Sequence, residues 1–427
     1  MFHLPSEDKM VRSGQIKHCF CLLITVAFLS IGLLFVFVER SPQAVVKIQN
    51  RFRASREILV KSSITTRVPT NGDHTSYRDR IKRVLQTRSK RQVLLIVAHG
   101  RSGSTFLADI FNRHPRVFYV FEPLHGLIAK QGKGYDQYAL NFLYHIFQCD
   151  FSVGNSTRNF GRFFRFHSRA MSSPPFCKYE PTDERWHSHF CSSVNQEDLE
   201  HSCKTQHDTI VYKLLLERLP GHSIEKLFGV CELARIECKV IHLIRDIRPV
   251  VMSSKKVAFF KEVDRKEKPA LQQYVYSHCE MTESNLQLVK MLDPSLRSRY
   301  VVVRYEDLAV QPLQLLEYVY EFAGLEVLEK IKQWLVNTTQ PSDNDLKEQA
   351  RNPVSVVRNS LEVLNKWRLV AESCDINIIE RYCRDVMRLM GYMQTQGSTA
   401  LLRNLSIPLF TATYPAQQWM KGYKRLL

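Results

Sequence analysis

The fold turns on one stretch: Val93-Leu94-Leu95-Ile96-Val97-Ala98-His99, then Gly100-Arg101-Ser102-Gly103-Ser104-Thr105-Phe106. Its first six residues form an unbroken apolar run, the mark of a strand buried on both faces of a parallel sheet. A loop of glycine, arginine and hydroxyl residues follows, and from Phe106 the segment FLADIFNRH has helical spacing until Pro115 stops it. In a strand–loop–helix of this composition, glycines let the backbone approach an anion. The first N–H groups of the helix have no intrahelical partner, and hydroxyls with a guanidinium complete the donors. Gly100 to Phe106 is therefore a candidate phosphate cradle; the competing reading is a Gly/Ser turn that caps a helix and binds nothing. An ATP-type loop is disfavoured, because G-x-x-x-x-G-K-[ST] needs a lysine where Gly103 is followed by Ser104-Thr105. The dinucleotide fingerprint G-x-G-x-x-G is missing as well.

Working outward, further apolar runs predict strands at 117–122 (VFYVFE), 210–216 (IVYKLLL), 239–245 (KVIHLIR) and 300–306 (YVVVRYE). Helical patterns separate most of them. The alternation predicts an α/β fold with a mainly parallel sheet and flanking helices, binding ligands at the carboxyl ends of its strands. The stretch 150–208, with Pro174-Pro175 and clustered cysteines, breaks the rhythm and reads as a disulfide-tied insertion that could lie over an acceptor site. A second basic element closes the fourth strand: Arg245-Asp246-Ile247-Arg248-Pro249, then Val250-Val251-Met252-Ser253. Pro249 suits a helix start, which puts Ser253 about one turn beyond Arg248 and near the same anion. An Arg/Asp pair tying a strand end to a helix is the alternative.

The chain has 427 residues and ordinary globular composition, 44% hydrophobic and 24% charged, so disorder is not the default. Its formal charge of +18 is uneven: residues 40–91 hold 14 Lys/Arg against three Asp/Glu. The excess suits a polyanion, which charge alone cannot resolve among nucleic acid, membrane surface and acidic glycan. Residues 19–38 are an uncharged run of 20, long enough as a helix to span about 30 Å of hydrocarbon. A cleaved signal peptide fits less well, since its apolar region is shorter and ends at a small-residue site. The reading is a tail at 1–18, a signal anchor at 19–38, a basic solvated stem at 39–91 and a lumenal domain at 92–427. The positive-inside count, with Lys9, Arg12 and Lys17 before the run against Arg40, Lys47, Arg51, Arg53 and Arg56 after it, opposes a cytoplasmic amino terminus and is overridden here. A lumenal carboxyl part follows from the short amino-terminal tail and from Asn-x-Ser/Thr sequons at Asn155, Asn337 and Asn404. Nine of the 11 cysteines follow the anchor, so disulfides are expected with at least one thiol outside intrachain pairs. No C-x-x-C pair occurs there, and a zinc site is not expected.

Together the two loops resemble the sulfotransferase superfamily. The closer resemblance is to the Golgi Gal/GlcNAc/GalNAc 6-O-sulfotransferases, through RSGSTF, VFYVFEPLH at 117–125, LIRDIRPVVMSS at 243–254, VVRYEDL at 302–308 and VRNSLEVLNKWR at 357–368. It implies a P-loop-like sulfotransferase fold on a single-pass type II Golgi membrane protein. The implied donor is 3′-phosphoadenosine 5′-phosphosulfate (PAPS), with no metal. Implied acceptors are the 6-hydroxyls of Gal, GalNAc or GlcNAc in keratan-, chondroitin- or N-acetyllactosamine-type chains, not nucleic acid. By the same resemblance Gly100, Arg101, Ser102, Gly103, Ser104, Thr105 and Phe106 wrap the 5′-phosphosulfate. Arg245 and Ser253 hold the 3′-phosphate, Asp246 and Arg248 line that site, and Arg358 is a further nucleotide contact.

Arg101 keeps its charge and cannot donate a proton, so its expected role is electrostatic, at the bridging oxygen of the departing nucleotide. The acceptor hydroxyl must lose a proton, and Glu122, one strand after the cradle, is the candidate base. The alternative is that it pairs with a loop arginine. His99 and His125 are lesser candidates, since a histidine at a strand end is more often structural. Two other functions share the anchor and stem. A glycosyltransferase would need a metal-binding Asp-x-Asp, and Asp343-Asn344-Asp345 reads as a solvated turn. A non-enzymatic glycosaminoglycan binder would leave the cradle unexplained.

Overall fold

The computed structural model describes residues 91–130, 134–153, 165–179, 190–256, 268–342 and 356–419, with positions 132, 344 and 347. The tail, anchor, stem up to residue 90, Asn155, Asp343 and Asp345 lie outside them. Among the described residues no helix is long and apolar enough to cross a membrane.

Five strands form one sheet: β1 (Gln92–Ala98), β2 (Val117–Phe121), β3 (Thr209–Leu215), β4 (Glu237–Ile244) and β5 (Tyr300–Arg304). Their order is β2-β3-β1-β4-β5, and every pairing is parallel. β1 is central, with Val93 to Ala98 fully buried, as an apolar run without alternation requires. Each strand except β4 starts within one residue of its predicted position. Each leaves the ladder one or two residues early, because His99, Glu122, Arg245 and Tyr305-Glu306 turn out of the sheet to face the same edge.

Register explains that convergence. Ala98 pairs with Leu215 on one side and Leu243 on the other, Phe121 with Lys213, and Ile244 with Arg304. The residues just beyond these pairs therefore stand side by side at the carboxyl edge. Strand order also reverses around β1, which opens a crevice there.

Helix α1 (Ser104–Asn112) follows β1 and packs on β1, β2 and β3. Helices α2 (Tyr135–Phe147) and α3 (Ile224–Ala234) pack on each other, and α4 (Ile247–Lys256) follows β4. The long α5 (Lys268–Met291) lies against α6 (Ser373–Tyr382).

The insertion is disulfide-tied as expected: Cys149–Cys203 closes its two ends and Cys177–Cys191 lies within it. Cys231–Cys238 and Cys279–Cys383 bring the bridges among the described residues to four, and Cys374 joins none of them. The buried Arg165 organises the insertion by donating to the Met171 and Phe176 carbonyls, each at 2.8 Å. Ser168 Oγ donates to the Tyr119 carbonyl at 2.7 Å, docking the segment on edge strand β2.

Candidate active site

The cradle is built from backbone first. Arg101 (φ 66°) and Gly103 (φ 86°) are both left-handed with Ser102 between them, and the Ser102 N–H donates back to the His99 carbonyl at 3.3 Å. No side chain caps α1, whose first turn bonds to the Gly103 carbonyl only from Phe106 (3.0 Å) and Leu107 (3.2 Å). Gly103 has a second constraint: a Cβ there would stand 2.4 Å from Tyr305 Cδ2. Ser102 and Ser104 are buried, and Phe106 leans toward Trp334 at the helix flank.

The second loop meets the first. Arg101 Nε donates to Ser253 Oγ at 3.0 Å, and Arg245 Nη1 donates to the Arg101 carbonyl at 3.2 Å. The Arg245 guanidinium stacks 4.1 Å above the Tyr305 ring, whose edge is the one Gly103 must clear. Burial and then the charges of Arg358 and Arg245 push the Arg101 guanidinium below its ordinary value. Three cations thus crowd one crevice, and the buried Arg245 Nε has no hydrogen-bond partner among the described residues. An anion there would relieve both conditions. Arg358 is exposed and is positioned by its own N–H, which donates to the Thr338 carbonyl at 3.0 Å.

Asp246 and Arg248 do not join this group, and their placement with the nucleotide contacts needs correction. Arg248 is fully buried, donating to Asp246 at 2.6 Å, to Glu380 at 2.9 Å and to the Met393 carbonyl at 2.9 Å. Asp246 is spent on Arg248. The pair ties the end of β4 to the carboxyl-terminal region, which is the alternative reading of the Arg/Asp motif.

On the other flank Glu122 (φ 39°) ends β2. Its carboxylate accepts from Lys213 Nζ at 2.6 Å and from Arg218 Nη1. Burial pulls the Glu122 carboxyl up, but the two cations and their hydrogen bonds outweigh it and leave it below its ordinary value. The buried Lys213 also donates to Thr105 Oγ1 at 3.2 Å, so one ammonium joins Glu122 to the cradle. His167 of the insertion stacks on Phe121 at 4.1 Å, its imidazole pushed down to about 4 by burial and by Lys213.

Neither candidate histidine faces the crevice as a lone group. His125 is exposed just past Glu122, and His99 is buried behind the cradle against Glu217, Thr282 and His278. Lys213, Arg218, Glu217 and Tyr305 were not singled out in sequence. Only Lys213 carried a local signal, a lysine inside an apolar strand.

The open helix terminus, the left-handed loop and the adjoining guanidiniums of Arg101 and Arg245 make an α/β site whose chemistry suits a phosphorylated or sulfated anion. The model of the sulfotransferase family matches residues 94–329, more than half of the chain, and the protein belongs to that family. Human carbohydrate sulfotransferase 6 is 26% identical over 343 residues, 74% of this chain and 84% of the relative. Danio rerio carbohydrate sulfotransferase 1 is 28% identical over 359 residues, 75% and 82% of the two chains. Solved structures similar to the chain include a sulfotransferase domain from the curacin biosynthetic pathway (14% identity, TM-score 0.36, covering 68% of this chain and 96% of that one). Another is mouse sulfotransferase SULT7A1 complexed with PAP (12% identity, TM-score 0.35, covering 74% and 88%).

Proposed function

We propose that this sulfotransferase takes the sulfuryl group of PAPS and transfers it to a sugar hydroxyl, the 6-hydroxyl of Gal, GalNAc or GlcNAc in a keratan-, chondroitin- or N-acetyllactosamine-type chain. The observation that carries the reading is the meeting of Arg101, Arg245 and Arg358 at the cradle, with an unpartnered buried Arg245 Nε. The relatives named as carbohydrate sulfotransferases support a glycan acceptor. The apolar run 19–38 supports a type II anchor in the Golgi membrane with the enzyme lumenal.

The residues fit the donor nucleotide. Bound PAPS supplies a sulfuryl group already activated by its phosphate leaving group. Gly100 to Phe106 wrap the 5′ end with the loop hydroxyls, the Arg101 guanidinium and the N–H groups that open α1, while Arg245 and Ser253 hold the 3′-phosphate and Arg358 adds charge. Arg101 serves electrostatically, because a guanidinium fixed on Ser253 can stabilise charge on a departing oxygen without moving a proton. Glu122 is the proposed base for the acceptor hydroxyl. Its proximity to the cradle through Lys213 supports that role, and its depressed pKa means that it is ionised throughout the lumenal range. The pairing with Lys213 and Arg218 is also what the alternative, a carboxylate that holds a loop arginine, calls for, so the base role requires that one of the two cations turn to another anion when the donor side is filled. Metal has no role here, since arginines and backbone N–H groups supply the positive potential.

Incubating the purified full chain with labelled PAPS and, separately, keratan, chondroitin and GlcNAc-terminated acceptors tests the acceptor class. Label on carbon 6 of one of these sugars is expected. Label on no glycan, with donor bound, would reject it.

A further inference from the structure

Glu217 stands two residues past Leu215, the register partner of Ala98. One of its carboxylate oxygens, Oε1, accepts from the Gly100 N–H at 3.0 Å and lies 2.9 Å from His99 Nδ1. A carboxylate can only accept, so His99 donates there. On the other side of the same imidazole, Nε2 lies 3.0 Å from Thr282 Oγ1, and the ring stacks on His278 with centroids 3.5 Å apart. Thr282 and His278 are buried on α5. The two residues that open the cradle are thereby fixed from β3 on one side and from α5 on the other.

The next residue explains why fixing is needed. Arg101 holds φ 66°, a left-handed conformation that a non-glycine residue keeps only where its surroundings impose it. We propose that Glu217, acting through Gly100 and His99, is a positioning residue that holds the anion cradle in its binding shape before the nucleotide arrives. The inference rests on the PAPS reading above. Without the clamp the loop would relax toward right-handed backbone, and binding would have to supply the ordering. The effect falls mainly on the 5′ end of the nucleotide, since Arg245 and Ser253 lie on the other loop and meet the cradle only at Arg101.

A metal ion is the rival use of this cluster, because His99, Glu217 and His278 offer ligand atoms within 4.8 Å of one another. The two imidazoles, however, lie face to face at 20° between planes, so their lone pairs do not converge on one point, although Glu217 Oε2 has no hydrogen-bond partner among the described residues.

Calorimetry on the solubilised full chain with 3′,5′-ADP and with 3′-AMP tests the proposal. Glu217→Ala should weaken 3′,5′-ADP about tenfold, the scale of one lost charge-assisted contact, and leave 3′-AMP within about twofold of wild type. Glu217→Gln keeps an oxygen for the Gly100 N–H while losing the charge, and should weaken 3′,5′-ADP by about threefold. Equal losses for both ligands would overturn the proposal, as would unchanged affinity in Glu217→Ala despite a lowered Tm. Should that variant not fold, wild-type affinity in Glu217→Gln overturns it alone. One equivalent of zinc in the purified wild type, lost in Glu217→Ala, would assign the cluster to metal. Wild-type protein that binds 3′-AMP or 3′,5′-ADP not at all would instead remove the donor reading beneath it.

Discussion

Arg101 and Ser253 are joined across the carboxyl edge of the sheet: the guanidinium Nε of one donates to the hydroxyl of the other at 3.0 Å. One belongs to the loop after β1, the other to the helix after β4, so the hydrogen bond closes two halves of the proposed anion site. Arg245 reinforces it from the strand end through the Arg101 carbonyl.

Two arginines three residues apart in sequence should behave oppositely. Arg245→Ala should weaken 3′,5′-ADP by about 2 kcal/mol or more, roughly 30-fold in Kd, with little change in Tm. Arg248→Met should leave that Kd unchanged but cost about 3–5 kcal/mol of stability, because it strands Asp246 and Glu380 without their buried partner. Calorimetry with thermal melts on both variants separates the roles, and a nucleotide-binding loss in Arg248→Met would return it to the site.

Glu122→Gln should lower kcat by about 10²–10⁴, the usual worth of general-base catalysis, with the Kd for 3′,5′-ADP within about threefold of wild type. Tm should fall too, since Lys213 and Arg218 lose their shared anion. Because the Glu122 carboxyl of the free enzyme sits below its ordinary 4.5, its ionisation should impose no acid limb on kcat/KM between about pH 5.5 and 7.5. The stability it adds is present above the unfolded pKa and is lost only as pH falls through the lower folded value. Near-normal kcat in the Gln variant would move the base role elsewhere.

Glu306 carries the opposite sign. It accepts from the Asp246 N–H at 3.2 Å and the Tyr392 hydroxyl at 2.8 Å, and burial with the nearby Asp246 charge pushes it up to about 7. The folded state therefore holds a proton that the unfolded chain has released. Stability should fall as pH rises from about 4.5 to 7, by at most about 3 kcal/mol from this group. Chemical denaturation across that range should show the slope in wild type and lose most of it in Glu306→Gln.

Much of this was legible because it was local. Largely apolar runs located all five strands, and the loop Gly100–Thr105 advertised an anion by its residue types. The rest depended on register. Glu217 is two residues past the end of β3, and only the pairing of Leu215 with Ala98 sets it against Gly100. Lys213 sits in an apolar strand, where sequence gives no hint that Phe121 pairs with it and so brings Glu122 alongside. Arg248 was misplaced for the converse reason: closeness to Arg245 in sequence suggested a shared anion, whereas the start of α4 turns it into the protein interior.

The central claim is that the cradle serves sulfuryl transfer and not sugar transfer, and the purified full chain can be given ³⁵S-labelled PAPS or labelled UDP-sugars with one mixed glycan acceptor, in EDTA and, in parallel, with Mn²⁺ restored. The account predicts label from PAPS on the glycan at undiminished rate, none from UDP-sugars, and loss of about 10²-fold or more in kcat for Arg101→Ala. Transfer from a UDP-sugar that appears only when Mn²⁺ is restored, with none from PAPS, would contradict it.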